Sequence, residues 1–367
     1  MYYYVTKTGL QTFDACRAYG LALLLERLAL NVDAPDDVAI HDVGPFYHIL
    51  GPSINELGPT LPPNVLDDLF VVTNGWCGVF LTTGRTPEPD KLKPQSRKRL
   101  EGKITDVHSV FGNLKKLLNT FTKPIAIDLI SSKGKGRESI PASLDPAASK
   151  GNRRTKRDGY STGEQLFGPR EQVAIGVFGG AHFIRWVWAG GGFTALLPLP
   201  QRVTIHDHRS IKAITDNNYL CRCSNITAAA HYAVQLAEAL RRRRADKAVY
   251  ADRYSALAIH SMAFSGNQWK AQSGSVFPLD YLIELLHGNL SISADIYDLW
   301  DRLFRRRSVR GNEMLAVTLA DFLAQPSLEN LGRYVSIHLR MTVTDPKRRP
   351  FALYQEHWMQ EVLRYVR

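Results

Sequence analysis

The sequence predicts an α+β protein, with a mixed or antiparallel sheet in an N-terminal part over residues 1–224 and a helical bundle over residues 225–367. Three patterns predict it. Residues 38–90 alternate short apolar runs (FYHIL, DLFVVT, CGVFLTT) with Gly and Pro, the pattern of short strands and loops. The stretch EQVAIGVFGGAHFIRWVWAGGGFTALLPLP, residues 171–200, reads as successive antiparallel strands with Gly179-Gly180 and Gly190-Gly191-Gly192 at the turns. After Asn225 the apolar residues recur at helical steps. At 367 residues and 44% hydrophobic, the chain is long enough for two cores.

In chain order, MYYYVT reads as a strand, Lys7-Thr8-Gly9 as a turn, and a helix begins near Thr12, a candidate N-cap. Phe13, Cys16, Tyr19, Leu23, Leu24 and Leu28 give that helix its apolar positions. Gly20 costs it about 1 kcal/mol relative to alanine, which implies close packing against a neighbour. VHSVFGNLKKLLNTF reads as a helix and PIAIDLI as a strand. Beyond residue 225, ITAAAHYAVQLAEALRRRR, PLDYLIELL, SADIYDLWDRLFRRR, EMLAVTLADFLAQ, LENLGRYVSIHLRM and ALYQEHWMQEVLRYV read as helices. Ile292, Ile296, Leu299, Trp300, Leu303 and Phe304 form one stripe.

Lys and Arg outnumber Asp and Glu by 46 to 35, for a formal charge of +11, so the chain attracts anions, nucleic acid first among them. The N-terminus lacks the pattern of a signal peptide and no apolar run is long enough to span a bilayer, so the expectation is a cytoplasmic protein with no membrane partner. Cys16, Cys77, Cys221 and Cys223 have no disulfide-framework spacing and read as reduced thiols.

Catalytic motifs are few. Gly176-x-x-Gly179-Gly180 does not match the dinucleotide fingerprint, and Lys133-Gly134-Lys135-Gly136 lacks the spacing of a phosphate loop. No Gly-x-Ser-x-Gly or His-Glu-x-x-His is present. His41-Asp42 and His206-Asp207-His208 have the residue types of a metal-dependent phosphohydrolase or nuclease without the rest of such a site. Cys221-Arg222-Cys223 lacks the two-residue spacer of a zinc knuckle. The expectation is therefore a non-catalytic protein with no cofactor and no metal. The rival is a metal-dependent nuclease using His206, Asp207 and His208, and an RNA-binding scaffold is a third reading.

The basic segments are the binding candidates. SSKGKGRES supplies Lys133, Lys135 and Arg137. SKGNRRTKRDGY supplies Lys150, Asn152, Arg153, Arg154, Lys156 and Arg157, cations beside glycines in a stretch with little to bury. Arginine and asparagine are able to read base edges as well as phosphates. AFSGNQWKAQSG, read as a polar loop between helices, brings together Asn267, Gln268, Trp269 and Lys270, amides for adenine edges and an indole for stacking or wedging. Arg305, Arg306, Arg307 and Arg310 end a helix and suit either its negative dipole end or a phosphate strand. Arg241, Arg242, Arg243 and Arg244 are either a solvated helix face or a phosphate contact.

VTKTGLQTFDACRAYGLALLLE, residues 5–26, resembles the opening of the large subunits of type I CRISPR surveillance complexes, the Cascade family, where a Thr-Gly turn and an Asp-bearing helix end in a Gly-Leu-Ala run. The likeness extends more loosely through SLDPAASKGNRRTKRDGY and AIGVFGGAHFIRWVW, over about half the chain. It implies a non-catalytic subunit near the crRNA 5′ end that recognises the protospacer-adjacent motif in double-stranded DNA, helps open it and steers the displaced strand. Guide pairing reads the rest of the sequence. Its partners would be crRNA, target DNA, the backbone and crRNA 5′-end subunits, and a recruited effector. The chain is short for such a subunit, which leaves that effector open between a helicase-nuclease and a transposition-targeting protein.

Overall fold

The computed structural model describes residues 1–29, 38–57, 109–145, 165–216, 219–242, 253–265, 268–305, 312–344 and 355–366. Within them the protein is α+β, with antiparallel sheets and helices concentrated toward the C-terminus. Two compact units interleave along the chain. The first takes Met1–Trp186, Leu199–Arg209 and His260–Ser275, the second Val187–Pro198, Ser210–Ile259 and Val276–Arg367.

The first unit opens on β1 (Tyr2–Thr6), turns at Gly9, whose φ of 87° glycine adopts without steric cost, and enters α1 (Gln11–Leu28). Thr12 is not the N-cap: the helix starts one residue earlier and Thr12 is buried inside its first turn. The turn is held instead by Asp14, which accepts from the Thr8 amide and hydroxyl, both at 2.8 Å, and from the Gly9 amide at 3.1 Å. The fully buried Arg17 pairs with Asp14 at 2.5 Å and donates to the Thr6 carbonyl and to Gln172 Oε1. Burial draws the guanidinium below its ordinary pKa, and the Asp14 carboxylate opposes that shift.

β2 (Ala39–Asp42) and β3 (Phe46–Leu50) form a hairpin. With β8 (Arg202–Thr204) they complete an antiparallel sheet in the order β1-β3-β2-β8. Tyr3, Val5, Ile40, Tyr47, Ile49 and Val203 point to its inner face, each at most 4% exposed, where α1 packs.

Residues 170–183, expected to be strand, form α3 (Arg170–Phe183), and Gly179-Gly180 is no turn. The glycines serve a helix crossing instead. A Cβ on Gly20 would sit 2.2 Å from the Ile175 carbonyl oxygen, and one on Gly179 only 1.8 Å from that of Cys16. The two backbones touch there, as Gly20 alone had implied. An unbroken buried run from Gln172 to Gly180 leaves no polar face to mark the helical period, which is why the stretch reads as strand.

α3 also packs on a ribbon of β4 (Arg137–Ser139) and β5 (Phe167–Pro169). α2 (Leu114–Asn119) is capped by Asn113, whose Oδ1 accepts from the Lys116 amide at 3.0 Å. PIAIDLI is not a strand: apart from an isolated bridge between Ile130 and Phe167 it is irregular, with Ile125 58% exposed.

A second sheet has the order β10-β9-β7-β6, from β6 (Arg185–Ala189), β7 (Gly192–Pro200), β9 (Tyr254–Ser265) and β10 (Gln268–Pro278). Gly190 and Gly191, at φ 60° and 80°, make the expected turn between β6 and β7. The segment 263–274 is not a loop between helices but the end of β9 and the start of β10, so a strand pair interrupts the expected bundle. QWKAQSGSV alternates polar residues with small or aromatic ones, a period-two pattern with one polar face that is easily taken for loop composition.

The second unit contains α5 (Asn225–Arg242), α6 (Asp280–His287), α7 (Leu290–Arg305), α8 (Asn312–Ala324), α9 (Leu328–Thr344) and α10 (Glu356–Arg364). The stripe on α7 is its core: Ile296, Leu299, Trp300, Leu303 and Phe304 are at most 2% exposed, and Ile292 is half-buried at its edge. Burying each such side chain contributes about 1.5–3 kcal/mol. The hydroxyl of Tyr297 donates to the Leu282 carbonyl at 2.7 Å, and that of Tyr281 to Val362 at 3.0 Å. None of the described helices is long and apolar enough to cross a membrane.

Two predictions follow from this packing. Gly179→Ala drives a methyl into backbone and should destabilise the protein by about 3 kcal/mol or more, whereas Gly332→Ala, in open space on α9, should stabilise by about 0.5–1 kcal/mol. Denaturant unfolding checks both, and equal effects would count against the crossing. The second concerns His260, which is 1% exposed with Nε2 bonded to the Ser143 carbonyl at 2.6 Å. Burial pushes this imidazole down to about 4 from its ordinary 6.5, with the Ser143 carbonyl opposing the shift. The unfolded chain takes up a proton near pH 6.5 and the folded one only near 4, so the associated stability is present above 6.5 and lost as pH falls through that window. Unfolding free energies from pH 7 to 4 should fall by on the order of 3 kcal/mol more in the wild type than in His260→Gln; superimposable profiles would refute the linkage.

Candidate nucleic-acid interface

The ribbon β4–β5 organises the first basic candidates. In the loop ahead of β4, Lys133 and Lys135 are exposed on either side of Gly134, and Gly136 takes a left-handed φ of 72°. The loop is closed by bonds from the Arg137 amide to the Gly134 carbonyl at 3.2 Å and from the Arg170 amide to Gly136 at 3.1 Å. Arg137 itself is half-buried and donates from Nη1 to the Asp128 carbonyl, so part of its donor capacity holds the loop. At the other end, the Ile140 amide donates to Leu166 at 3.0 Å and the Gln165 side chain donates back to Ile140 at 2.5 Å. Between the buried Asp145 and Gln165 lies the segment with Lys150, Asn152, Arg153, Arg154, Lys156 and Arg157, all outside the described residues. Two basic segments therefore attach to one short ribbon.

The other candidates are separate from it in the chain. Gln268, Trp269 and Lys270 begin β10, while Asn267 lies outside the described residues. Arg305 pairs through Nε with Asp301 Oδ2 at 2.5 Å and remains 44% exposed; Arg306, Arg307 and Arg310 lie outside the described residues. Asp301 also meets His231 Nε2 at 2.9 Å, and the Cys221 amide donates to His231 Nδ1 at 2.9 Å, so Nε2 carries the imidazole proton. Burial alone would raise the Asp301 carboxyl; bonds from His231 and Arg305 outweigh it and hold the group below its ordinary pKa. Arg241 and Arg242 both pair with Glu238, at 2.6 and 2.8 Å, and Arg243 and Arg244 lie outside the described residues.

His206, Asp207 and His208 open α4 (Ile205–Asp216), where the Asp207 amide donates to Thr204 Oγ1 at 3.1 Å. His208 is 2% exposed, stacked on the Tyr19 ring at 4.3 Å and tilted against Phe183 at 5.0 Å, which makes it an aromatic core residue. Cys221 and Cys223 sulfurs stand 3.5 Å apart. Asp42 is ion-paired to Lys7 at 2.7 Å, while burial, Arg202 and His48 together lower the pKa of His41. Among the described residues no group of three or more His, Cys, Asp or Glu is placed to hold a metal ion.

One feature escaped the sequence patterns. The outer face of the first sheet carries Tyr2, Tyr4 and Thr6 of β1, Phe46, His48 and Leu50 of β3, His41 of β2 and Arg202 of β8. The register aligns Tyr4, His48, His41 and Arg202 as a row across four strands. Ring centroids lie 5.0 Å apart for Tyr4 and His48, 4.9 Å for Phe46 and His48, and 5.5 Å for Tyr2 and His48. The available signal was aromatic alternation: YYYV and FYHI each put a ring at every second position of the face opposite the apolar one.

No family model matches the chain. It is 29% identical over 371 aligned residues to an uncharacterized protein of Archaeoglobus fulgidus, an alignment spanning 99% of this chain and 98% of that one.

Proposed function

We propose that the chain is a non-catalytic DNA-recognition subunit of an RNA-guided complex of the Cascade kind. It binds target duplex at the protospacer-adjacent motif beside the crRNA 5′ end, joins the backbone and 5′-end subunits, and recruits a helicase-nuclease or a transposition-targeting protein. The resemblance over residues 5–26 supplies the class. The observation that supports it most is the ribbon β4–β5, with exposed Lys133 and Lys135 at one end and the cation-rich segment 146–164 joined at the other. Phosphate contacts position such a protein on DNA, and a few side chains at base edges choose the motif.

Replacing Lys133, Lys135, Arg153, Arg154, Lys156 and Arg157 with alanine should weaken duplex binding and flatten its salt dependence, since each neutralised phosphate contributes about −0.9 to the log–log slope. An unchanged slope removes the ribbon from the interface. Asn267→Ala and Gln268→Ala should each cost about 1–3 kcal/mol of preference for the correct flanking motif, with little change on a mismatched flank. Uniform loss on every duplex would mean that Asn267 and Gln268 contribute packing and read nothing.

A further inference from the structure

Among the described residues, α1 covers one face of the sheet β1-β3-β2-β8; the other carries the exposed ring of Tyr2 and the half-buried rings of Tyr4, Phe46, His48 and His41, with Arg202 at the end of their row. We propose that this face is a stacking platform for the unpaired bases of single-stranded RNA.

The geometry fits the ligand. Strands about 4.8 Å apart set Tyr4 and Arg202 roughly 14 Å from each other across the sheet, and open-face positions along one strand recur about every 6.8 Å. That is room for two or three splayed bases on aromatic π-faces, the mode by which four-stranded sheets take unpaired RNA. A duplex, whose bases already stack on one another, has no free base faces to offer. Charge agrees as well: no strand position on this face is acidic, Arg202 is exposed at the rim for a phosphate, and the chain carries +11. The tyrosine hydroxyls, the Thr6 hydroxyl and the imidazoles supply donors and acceptors among the rings, the groups that engage a 2′-hydroxyl absent from DNA. The inference deepens the proposed function by giving the RNA a place on the chain, and rests on that reading only for the source of the strand.

The test uses the full chain and three labelled probes, a mixed-sequence single-stranded RNA of ten nucleotides, the same sequence as DNA, and a duplex, by fluorescence anisotropy. Tyr2→Leu with Phe46→Leu keeps apolar area and removes two π-faces; RNA affinity should fall about 5- to 100-fold, with duplex binding unchanged. Tyr2→Phe with Phe46→Tyr keeps both rings and should retain RNA affinity. Unchanged RNA affinity in the leucine variant, loss in the ring-retaining one, or equal affinity of the wild type for the single-stranded DNA would each overturn the platform. Should the leucine variant fail to fold, wild-type protein cross-linked to 4-thiouridine RNA should carry its adducts on residues 2–4 and 46–48, and adducts confined elsewhere would refute the proposal. Loss of duplex binding by Lys133→Ala with Lys135→Ala is read separately, so failure of the ribbon leaves the platform standing and the reverse.

Discussion

The backbone contact between Gly20 and Gly179 is the constraint on which the first unit depends. Phe13, Cys16, Arg17 and Gly20 lie at helical spacing on the side of α1 that meets α3, and all four take part in the contact: a Cβ at Gly176 would meet the Phe13 ring, and one at Gly179 the Cys16 carbonyl. Arg17 ties the crossing electrostatically by reaching from Asp14 on its own helix to Gln172 on the other. Such a fully buried pair is a weak source of net stability, but removing one partner would strand a charge in the interior. It acts as a register pin for helices whose glycines could otherwise slide.

Because the crossing consumes one side of α1, the remaining side is left for the sheet, and 15 of its 18 residues are buried. The layers then succeed one another as sheet, α1, α3 and ribbon. With α1 on its inner face, the sheet turns Tyr2, Tyr4, Phe46 and His48 to the other face, and with α3 beneath it the ribbon holds Lys133 and Lys135 in solvent. Two surfaces with different chemistry, one built of rings and one of cations, are thus separated by a pair of helices whose spacing the glycines fix.

What the sequence made legible follows the same physics. In the second unit α7 has a solvent side, so it displays its stripe and is read correctly. Chains buried on all sides lose that contrast: α3 has no polar face, so its glycines look like turns. The opposite failure occurs in β10, where alternating polar residues look like a loop because the partner strand is remote in composition rather than in sequence. The aromatic face was missed for a third reason. Alternation marks a strand, but only the register of Tyr4, His48, His41 and Arg202 shows that rings from separate strands form one surface. The segments 146–164 and 306–311 fall outside the described residues, so their candidate side chains remain where sequence chemistry put them.

Charge separates the basic residues into two populations. On the helices, arginines pair with carboxylates one turn away: Arg241 and Arg242 with Glu238, Arg302 with Asp298, Arg305 with Asp301, Arg333 with Glu329 and Arg364 with Glu361. Each such exposed pair is worth only a few tenths of a kcal/mol, yet each neutralises a cation locally. With 46 basic against 35 acidic residues, every acid committed to a helical pair leaves the surplus positive charge elsewhere in the sequence. Lys133 and Lys135 stand between serine and glycine in a loop, and Arg202 stands between Gln201 and Val203 in a short strand, where no helical turn brings a carboxylate into step. Among the described residues, the field that a polyanion meets is therefore set less by the helical arginines, which carboxylates offset, than by the cations of the loops and short strands.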